Sequence, residues 1–315
     1  MKIALITPAA PRTRLGNRNT AMRWARMLRE LGHDVRVEQQ WNGAPSDAMI
    51  ALHARRSHES ILRYADQCPR RPLVVTLTGT DLYRDIRSDA TAQLSLKLAT
   101  RLIVLHELGA TDLPARHRAK TRVVFQSAVA TRRRPPLASR FEVVVCGHLR
   151  QEKDPFRAAA ALHYLPRASR IRITHLGGAL APDMAEEARR WMAADRRYRW
   201  LGELAHWRAL QILARSPLMV ISSFMEGGAN VVCEALAART PVIASRIAGN
   251  IGMLGRDYGG YYPVGDERAL ARALWRAESD PLYYRQLKRS CGARRALVTP
   301  RHEQQALRAL LAELD

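Results

Sequence analysis

The chain has 315 residues, 47% of them hydrophobic and 25% charged, which is typical of a soluble globular protein of one or two domains. Its longest apolar runs have the length of strands, and the apolar run at the N-terminus is too short for a signal peptide. We therefore expect a cytoplasmic protein without stable membrane association.

The net charge is +22, which could indicate a nucleic-acid-binding protein, an anionic membrane partner or small anionic substrates. Only five of the basic residues are lysine, and the arginines are dispersed apart from one compact run, TRRRPP at 131–136. We therefore expect no nucleic-acid partner, with DNA binding kept as an alternative. The four cysteines lack CxxC spacing, so neither a zinc site nor a disulfide framework is predicted.

The first half of the chain alternates strand-like and helix-like segments. It starts with the strand KIALITP, the polar turn APRTRLGNRNT and the helix AMRWARMLRELG. The further strands are HDVRVEQQ, DAMIALHA, PLVVTLTG, RLIVLH and TRVVFQS, with the helices SHESILRYADQ, SDATAQLSLKLAT and ELGATDLPAR between them. This alternation with short connections predicts a parallel α/β architecture.

The segment AVATRRRPPLASR interrupts the alternation, and its prolines and arginines are typical of an interdomain linker. A second α/β series follows, from FEVVVCGH through IRITHLGG, YRWLGEL, PLMVISS and PVIAS. The sequence thus predicts the α/β class, with two Rossmann-like, doubly wound parallel-sheet domains facing a cleft. The predicted ranges are a first domain 1–130, a linker 131–140, a second domain 141–295, and a C-terminal helix 296–315 able to pack back on the first domain.

Several nucleotide and metal motifs are absent from the sequence. Neither half has GxGxxG after its first strand, and GxxxxGK[ST], HExxH, GxSxG and DxD do not occur. These absences disfavour nicotinamide or flavin enzymes, P-loop proteins, zinc proteases and metal-dependent sugar transfer. We therefore predict no cofactor and no bound metal.

Two glutamates flank a glycine turn in SSFMEGGANVVCEAL at 222–236. The turn Gly227–Gly228 opens a helix, and the amides at a helix N-terminus favour an anion. A carboxylate at Glu234, about two turns into that helix, could accept hydrogen bonds from ribose hydroxyls. On its spacing alone, the pair Glu226 and Glu234 also fits an ordinary helix with two exposed acids.

In its setting, the E-x7-E spacing that leads into EALAARTPVIAS resembles the donor motif of retaining GT-B glycosyltransferases of the family 4 type. VVVCGHLRQEKDP resembles the diphosphate motif of the same family, with Gly147 and Leu149 keeping the pattern and Lys153 at the lysine position. His148 stands where the family has arginine, and Arg150 follows two residues later. GHDV at 32–35 is similar to the family's GHEV.

The resemblance implies a GT-B fold and a UDP-sugar donor. It leaves open which of His148 and Arg150 contacts the diphosphate. It assigns catalytic roles to Lys153, Arg150 and Glu226. It implies nucleotide-sugar contacts from Gly147, His148, Arg150, Lys153, Leu204, Glu226, Gly227, Gly228, Ala229, Asn230 and Glu234.

Two turns in the first half are candidates for the acceptor. PRTRLGNRNT places anion donors ahead of a helix, and TLTGTDLYRD places polar residues at the end of a strand. We predict a compact anionic acceptor, although the first turn also fits a solvated basic loop with a helix cap. The predicted acceptor residues are Arg14, Gly16, Asn17, Arg18, Asn19, Thr20, Thr78, Gly79, Thr80 and Asp81.

A narrower resemblance rests on ITPAAPRTRLGNRNTA, TLTGTDLYRD, GHLRQEKDPFRAA and SSFMEGGANVVCEAL. Together these segments resemble the selenosugar synthases of bacterial selenoneine biosynthesis. That resemblance implies transfer of the sugar of UDP-N-acetylglucosamine to selenophosphate, with formation of a carbon–selenium bond. The alternatives are a UDP-sugar-dependent transferase with a small hydroxyl or thiol acceptor and, less favoured because both glutamates and Lys153 are present, a catalytically inactive regulator. The donor sugar, the anomeric stereochemistry and the oligomeric state are not determined by the sequence.

Overall fold

The computed structural model describes residues 1–11, 16–129, 132, 135–137 and 139–314. The chain forms two α/β units. The first comprises residues 1–126, 226–228 and 300–315, and the second comprises residues 127–225 and 229–299. The predicted domain ranges differ from this division mainly in that they give the glycine turn 226–228 to the second domain.

The first unit is built on six parallel strands in the order β2-β1-β3-β4-β5-β6. The strands are β1 (Lys2–Ile6), β2 (Asp34–Glu38), β3 (Ala48–Leu52), β4 (Leu73–Thr76), β5 (Arg101–Val104) and β6 (Thr121–Val123). The helices are α1 (Gly16–Glu30), α2 (His58–Gln67), α3 (Ile86–Ser88), α4 (Ala90–Leu98) and α5 (Ala115–Arg118), joined by the chain's last helix, α13 (Pro300–Ala312).

The second unit also has six parallel strands, in the order β9-β8-β7-β10-β11-β12. They are β7 (Phe141–Cys146), β8 (Ile171–Leu176), β9 (Tyr198–Trp200), β10 (Leu218–Ile221), β11 (Val242–Ser245) and β12 (Tyr261–Tyr262). The helices are α6 (Arg157–Ala161), α7 (Pro182–Ala194), α8 (His206–Arg215), α9 (Asn230–Ala237), α10 (Ala248–Leu254), α11 (Glu267–Ser279) and α12 (Pro281–Arg294). Two Rossmann-like parallel sheets are therefore present, as predicted.

The inner strands of the first sheet are apolar on both faces, as strands covered by helices on both sides must be, and every residue of β3 is buried. Along β3, Met49 and Ala51 belong to one apolar cluster, while Ile50 and Leu52 belong to the other. The second of these clusters also contains Leu310 from α13, so the C-terminal helix is part of the core of the first unit.

The sequence reading differs from the structure at one predicted helix of the first unit. Residues 107–116 were predicted to form one helix, but the structure has a 3-10 turn at Gly109–Asp112 and a separate short α5. Pro114 lies between them, and the residue before a proline is driven out of the helical region. Leu113 is accordingly extended, with φ −83° and ψ 147°.

In the ranges that the structure covers, no helix has both the length and the apolar character needed to span a membrane.

Candidate active site

The two predicted donor segments follow neighbouring strands in the middle of the second sheet. Gly147 comes directly after β7, and Ser222 directly after β10. These strands pair in parallel, with Val144 beside Met219. The chain continues from β7 to β8 on one side, while β10 lies on the other, so the strand order reverses here. In open α/β sheets this reversal point is where ligands bind.

Hydrogen bonds join the two donor segments. The hydroxyl of Ser222 shares its one proton between the carbonyl oxygens of Lys153, at 3.0 Å, and of Asp154, at 2.8 Å. The amide of Phe224 donates to the carbonyl oxygen of Glu152 at 2.9 Å. The turn that carries Lys153 is therefore held against the end of β10. Asp154 closes that turn in the left-handed region, with φ +45°.

His148, the residue at the family's arginine position, bonds toward β8. The amide of Gly178 donates to Nδ1 of His148 at 3.2 Å. Because Nδ1 accepts, a neutral imidazole carries its proton on Nε2 and can donate it. Arg150 lies on the surface. Both side chains thus have donors to offer a diphosphate, and the contact of either one with the diphosphate stays a prediction.

A buried histidine, which the sequence analysis did not single out, holds the carbonyl group of Gly147. Nε2 of His175 lies 3.1 Å from the oxygen of Gly147, and Nδ1 lies 3.0 Å from the hydroxyl of Tyr198. Burial lowers the pKa of His175 to about 4, so the ring is neutral near pH 7. Since a carbonyl oxygen only accepts, Nε2 donates to Gly147 and Nδ1 accepts from Tyr198.

Gly177 allows the turn after β8 to approach the turn after β7 closely. Its φ is +144°, and a Cβ there would lie 2.0 Å from the carbonyl oxygen of Gly147. No side chain fits in that space, so the position requires glycine.

Glu234, the predicted ribose ligand, lies on α9 and bonds to a histidine that sequence reasoning also missed. Nε2 of His206, at the start of α8, is 2.9 Å from Oε1 of Glu234. Close by, burial and then the charge of Glu234 raise the pKa of the Cys146 thiol. Leu204 lies half-buried in the loop before α8, and Ala229 and Asn230 stand at the start of α9.

The glycine turn 226–228 belongs to the first unit, where it contacts the predicted acceptor turn. A Cβ on Gly227 would lie 2.3 Å from the backbone carbon of Thr78, and one on Gly228 would lie 2.4 Å from Cβ of Leu105. Glu226 is buried, with 8% of the residue's surface exposed. The structure therefore brings Gly227 and Thr78, predicted for different substrates, against each other. This proximity could not be inferred from their spacing along the chain.

Asp81 organises the acceptor turn from inside. One carboxylate oxygen accepts from the amides of Thr78 at 2.8 Å and Gly79 at 3.0 Å, and the other accepts from the amide of Ala54 at 2.9 Å. The side chain is fully buried. Its role as a direct acceptor ligand stays a prediction, while the bonds it makes fix the shape of the turn. A π-helical turn follows at Asp81–Asp85, a feature often found at functional sites.

The other predicted acceptor segment is described only from Gly16, where α1 begins. Arg14 lies outside the described residues. Gly16 and Asn19 are exposed, and Asn17 and Arg18 are half-buried. Thr20 is buried, and its hydroxyl donates to the carbonyl oxygen of Gly16 at 3.0 Å. The hydroxyl proton of Thr20 is therefore already donated within α1.

The described part of the chain contains no group of three or more His, Cys, Asp or Glu side chains able to hold a metal ion.

Comparisons with known proteins agree with this architecture. Residues 140–280 match the family described as Glycosyl transferases group 1. The structure of Anabaena Alr3699/HepE, solved in complex with UDP and glucose, is similar with a TM-score of 0.79 and 18% identity, covering 100% of both chains. Sucrose-phosphate synthase from Thermosynechococcus elongatus gives a TM-score of 0.79 at 17% identity, covering 99% of this chain and 98% of the other.

A search of the curated proteins found no match. At 18% identity, the similarity to the solved structure shows the fold alone. The family match covers most of the second unit and little of the first. The chain thus has the GT-B fold with two Rossmann-like domains, and its residues 140–280 match the glycosyl transferases group 1 family.

Proposed function

We propose that the protein is a UDP-sugar-dependent glycosyltransferase whose donor is UDP-N-acetylglucosamine and whose acceptor is selenophosphate. The observation that carries the first part is the junction of the Lys153 turn with the end of β10, at the reversal point of a Rossmann sheet. The family match of residues 140–280 supports it, as does the similar fold of Alr3699/HepE, solved with UDP-glucose.

The donor half of the proposal places the diphosphate at Lys153, with Arg150 or His148 and the amides at the start of α9. These groups stabilise the negative charge that develops on the departing UDP. Glu234 accepts hydrogen bonds from the ribose hydroxyls, while Glu226 is assigned to the sugar. No metal or other cofactor takes part in this proposal.

The acceptor half assigns selenophosphate to the first unit. Arg18, Asn17 and the amides at the start of α1 suit a small, highly charged anion, as does the polar turn Thr78–Asp81. Selenium forms a bond to the anomeric carbon while the bond from that carbon to the UDP oxygen breaks. Water then attacks phosphorus, the phosphorus–selenium bond breaks, and phosphate and the selenosugar are released.

An ordinary transfer to a small hydroxyl or thiol acceptor is the alternative, because the donor residues would serve it equally well. Purified protein should be incubated with UDP-N-acetylglucosamine and, separately, selenophosphate, thiophosphate, a thiol and a hydroxyl acceptor, with products identified by mass. A selenosugar with release of UDP supports the proposal. A product with only the hydroxyl or thiol acceptor contradicts the selenophosphate assignment but keeps the donor assignment.

Two substitutions test the donor site. Lys153→Ala and Glu234→Ala should abolish UDP-sugar turnover, whereas Lys288→Ala and Glu186→Ala, at exposed positions in the same unit, should leave it unchanged. Near-normal activity of Lys153→Ala or Glu234→Ala would mean that the donor site is misplaced. Thermal shift with UDP but not with DNA would remove the nucleic-acid alternative.

A further inference from the structure

His53 is a buried histidine in an unusual backbone conformation, directly after β3. Its φ is +76°, in a region that few residues other than glycine adopt and that histidine tolerates better than most. Only 2% of its side chain is exposed. Its amide donates to the carbonyl oxygen of Thr76 at 2.8 Å, and the hydroxyl of Ser57 donates to that of Leu52 at 2.7 Å. The fold therefore maintains a strained residue here, which is common at functional sites.

The ring of His53 connects this bend to the predicted acceptor turn. Nδ1 accepts from the amide of Arg56 at 3.3 Å, and Nε2 lies 3.1 Å from the hydroxyl oxygen of Thr80. Because Nδ1 accepts, the proton of the neutral ring is on Nε2. His53 therefore donates to Thr80.

The charges around the ring act in opposite directions. Burial lowers the pKa of His53, while Asp81, with Oδ2 3.8 Å from Nδ1, and Asp85, with Oδ2 3.9 Å from Nε2, raise it. Arg55 pairs with Asp85 at 3.0 Å, as does Arg84 at 3.1 Å. Burial is the largest of these influences on the pKa, so the ring is neutral near pH 7.

This bond determines what the hydroxyl of Thr80 can offer. Its oxygen already accepts from His53, and within the described ranges no acceptor receives its proton. Thr80 is only half-buried, so a ligand can reach it. The hydroxyl of Thr78, in contrast, lies 3.4 Å from Oδ1 of Asp81, which already takes its proton.

We infer that His53 is a positioning residue for the acceptor: it holds the hydroxyl of Thr80 so that its proton is presented to an anion bound at the Thr78–Asp81 turn. The inference rests on the proposed function, because it takes the acceptor to be a small anion. His53 itself does not contact substrate in this arrangement.

The test is a cycle of four proteins, namely wild type, His53→Asn, Thr80→Val and the double variant, with His53→Gln added. Asparagine tolerates the positive φ but does not reach Thr80, whereas glutamine can place a donor where Nε2 lies. For each protein, kcat and the KM values for selenophosphate and UDP-N-acetylglucosamine are measured.

Thr80→Val and His53→Asn should each raise the KM for selenophosphate about tenfold, as the loss of one hydrogen bond to a charged group does. The KM for UDP-N-acetylglucosamine should not change, and His53→Gln should recover most of the affinity. The double variant should be no worse than Thr80→Val alone, because His53 acts only through that hydroxyl.

A matched control is His58→Asn, which removes another buried histidine that bonds to Ser95 at 2.9 Å in the same unit. It should lower the Tm without raising the KM for selenophosphate. Effects of His53→Asn and Thr80→Val that add in the double variant, or an equal rise in His58→Asn, would overturn the inference.

Failure of the proposed function looks different, because the wild type then shows no turnover of selenophosphate. If the wild type still hydrolyses UDP-N-acetylglucosamine, the cycle is measured on the inhibition of that rate by inorganic phosphate, an anion for the Thr78–Asp81 turn, and the same absence of additivity is expected in the inhibition constant. Additive effects there again overturn the inference.

Discussion

The hydroxyl of Ser222 donates to the carbonyl oxygen of Lys153, so the end of β10 fixes the turn that carries the proposed diphosphate lysine. Ser222→Ala removes the donor that the carbonyl groups of Lys153 and Asp154 share. We expect the free energy of unfolding to fall by about 1 kcal/mol. We expect the KM for the UDP-sugar to rise several-fold, with a small decrease in Tm.

The matched control for Ser222→Ala is Ser279→Ala, which removes an exposed hydroxyl that donates to the carbonyl oxygen of Trp275 at 2.7 Å in α11. Steady-state kinetics should show no change in this control. An unchanged donor KM in Ser222→Ala would show that the hydrogen bonds do not position Lys153.

Gly227→Ala tests the close approach of the glycine turn to Thr78. The added Cβ would lie 2.3 Å from the backbone carbon and 2.5 Å from the carbonyl oxygen of Thr78, neither of which can rotate away. Overpacking of this kind costs about 1–3 kcal/mol. We therefore expect a lower urea midpoint and loss of most of the proposed transferase activity.

The control is Gly259→Ala, whose Cβ would meet nothing within 4 Å. Equal denaturation midpoints of Gly227→Ala and Gly259→Ala would contradict the packing described for the turn.

The sequence was sufficient for the class of fold because the strands are short apolar runs bounded by turn residues. It was not sufficient to predict the helix boundaries within residues 107–116. The apolar pattern there favours one helix, but Pro114 ends it and divides the segment in two. The spacing of apolar residues predicts which side chains are buried. It does not predict where a helix ends, because one proline can end a helix within an apolar pattern.

Side-chain contacts between residues that follow different strands or lie on different helices could not be predicted from sequence patterns. His53 and Thr80 follow the neighbouring strands β3 and β4, and they meet because Leu52 pairs with Thr76. His206 reaches Glu234 from the adjacent helix α8. The sequence around a lone histidine does not indicate such a partner, whereas the glycine turn and Lys153 could be predicted as site residues because their motifs are local.

The buried carboxylate of Glu303 joins the C-terminal helix to α1. It accepts from Arg23 Nε at 2.8 Å and from Trp24 Nε1 at 2.6 Å, and its side chain is fully buried. Glu303→Ala removes the acceptor that Glu303 supplies to the half-buried guanidinium of Arg23 and to the buried indole N–H of Trp24, so we expect a loss of about 3 kcal/mol in the free energy of unfolding. Denaturation in urea measures it.

Glu313→Ala is the control, because this glutamate pairs with Arg101 at 3.0 Å and Arg122 at 2.8 Å near the surface, with a third of its side chain exposed. Such a pair is expected to contribute at most about 1 kcal/mol. Similar losses in Glu303→Ala and Glu313→Ala would contradict the anchoring role of Glu303.

His175 should make the stability of the protein depend on pH. Burial holds its folded-state pKa at about 4, below the value of about 6.5 expected in the unfolded chain. Between these values the unfolded chain binds a proton that the folded chain does not. The contribution of the neutral ring is therefore complete above pH 6.5 and is lost as the pH falls toward 4, with a slope of at most about 1.4 kcal/mol per pH unit.

His175→Gln keeps a donor near Gly147 but does not titrate, so it separates the proton from the hydrogen bond. Urea denaturation of wild type and variant at about pH 7.5, 6.5, 5.5 and 5.0 covers the upper part of the window between the two pKa values. The variant should lose less stability than the wild type on acidification.

Other buried histidines, such as His106 with a pKa lowered to about 4, titrate in both proteins and cancel in the difference. Parallel curves for the two proteins would mean that His175 does not stay neutral in the folded chain.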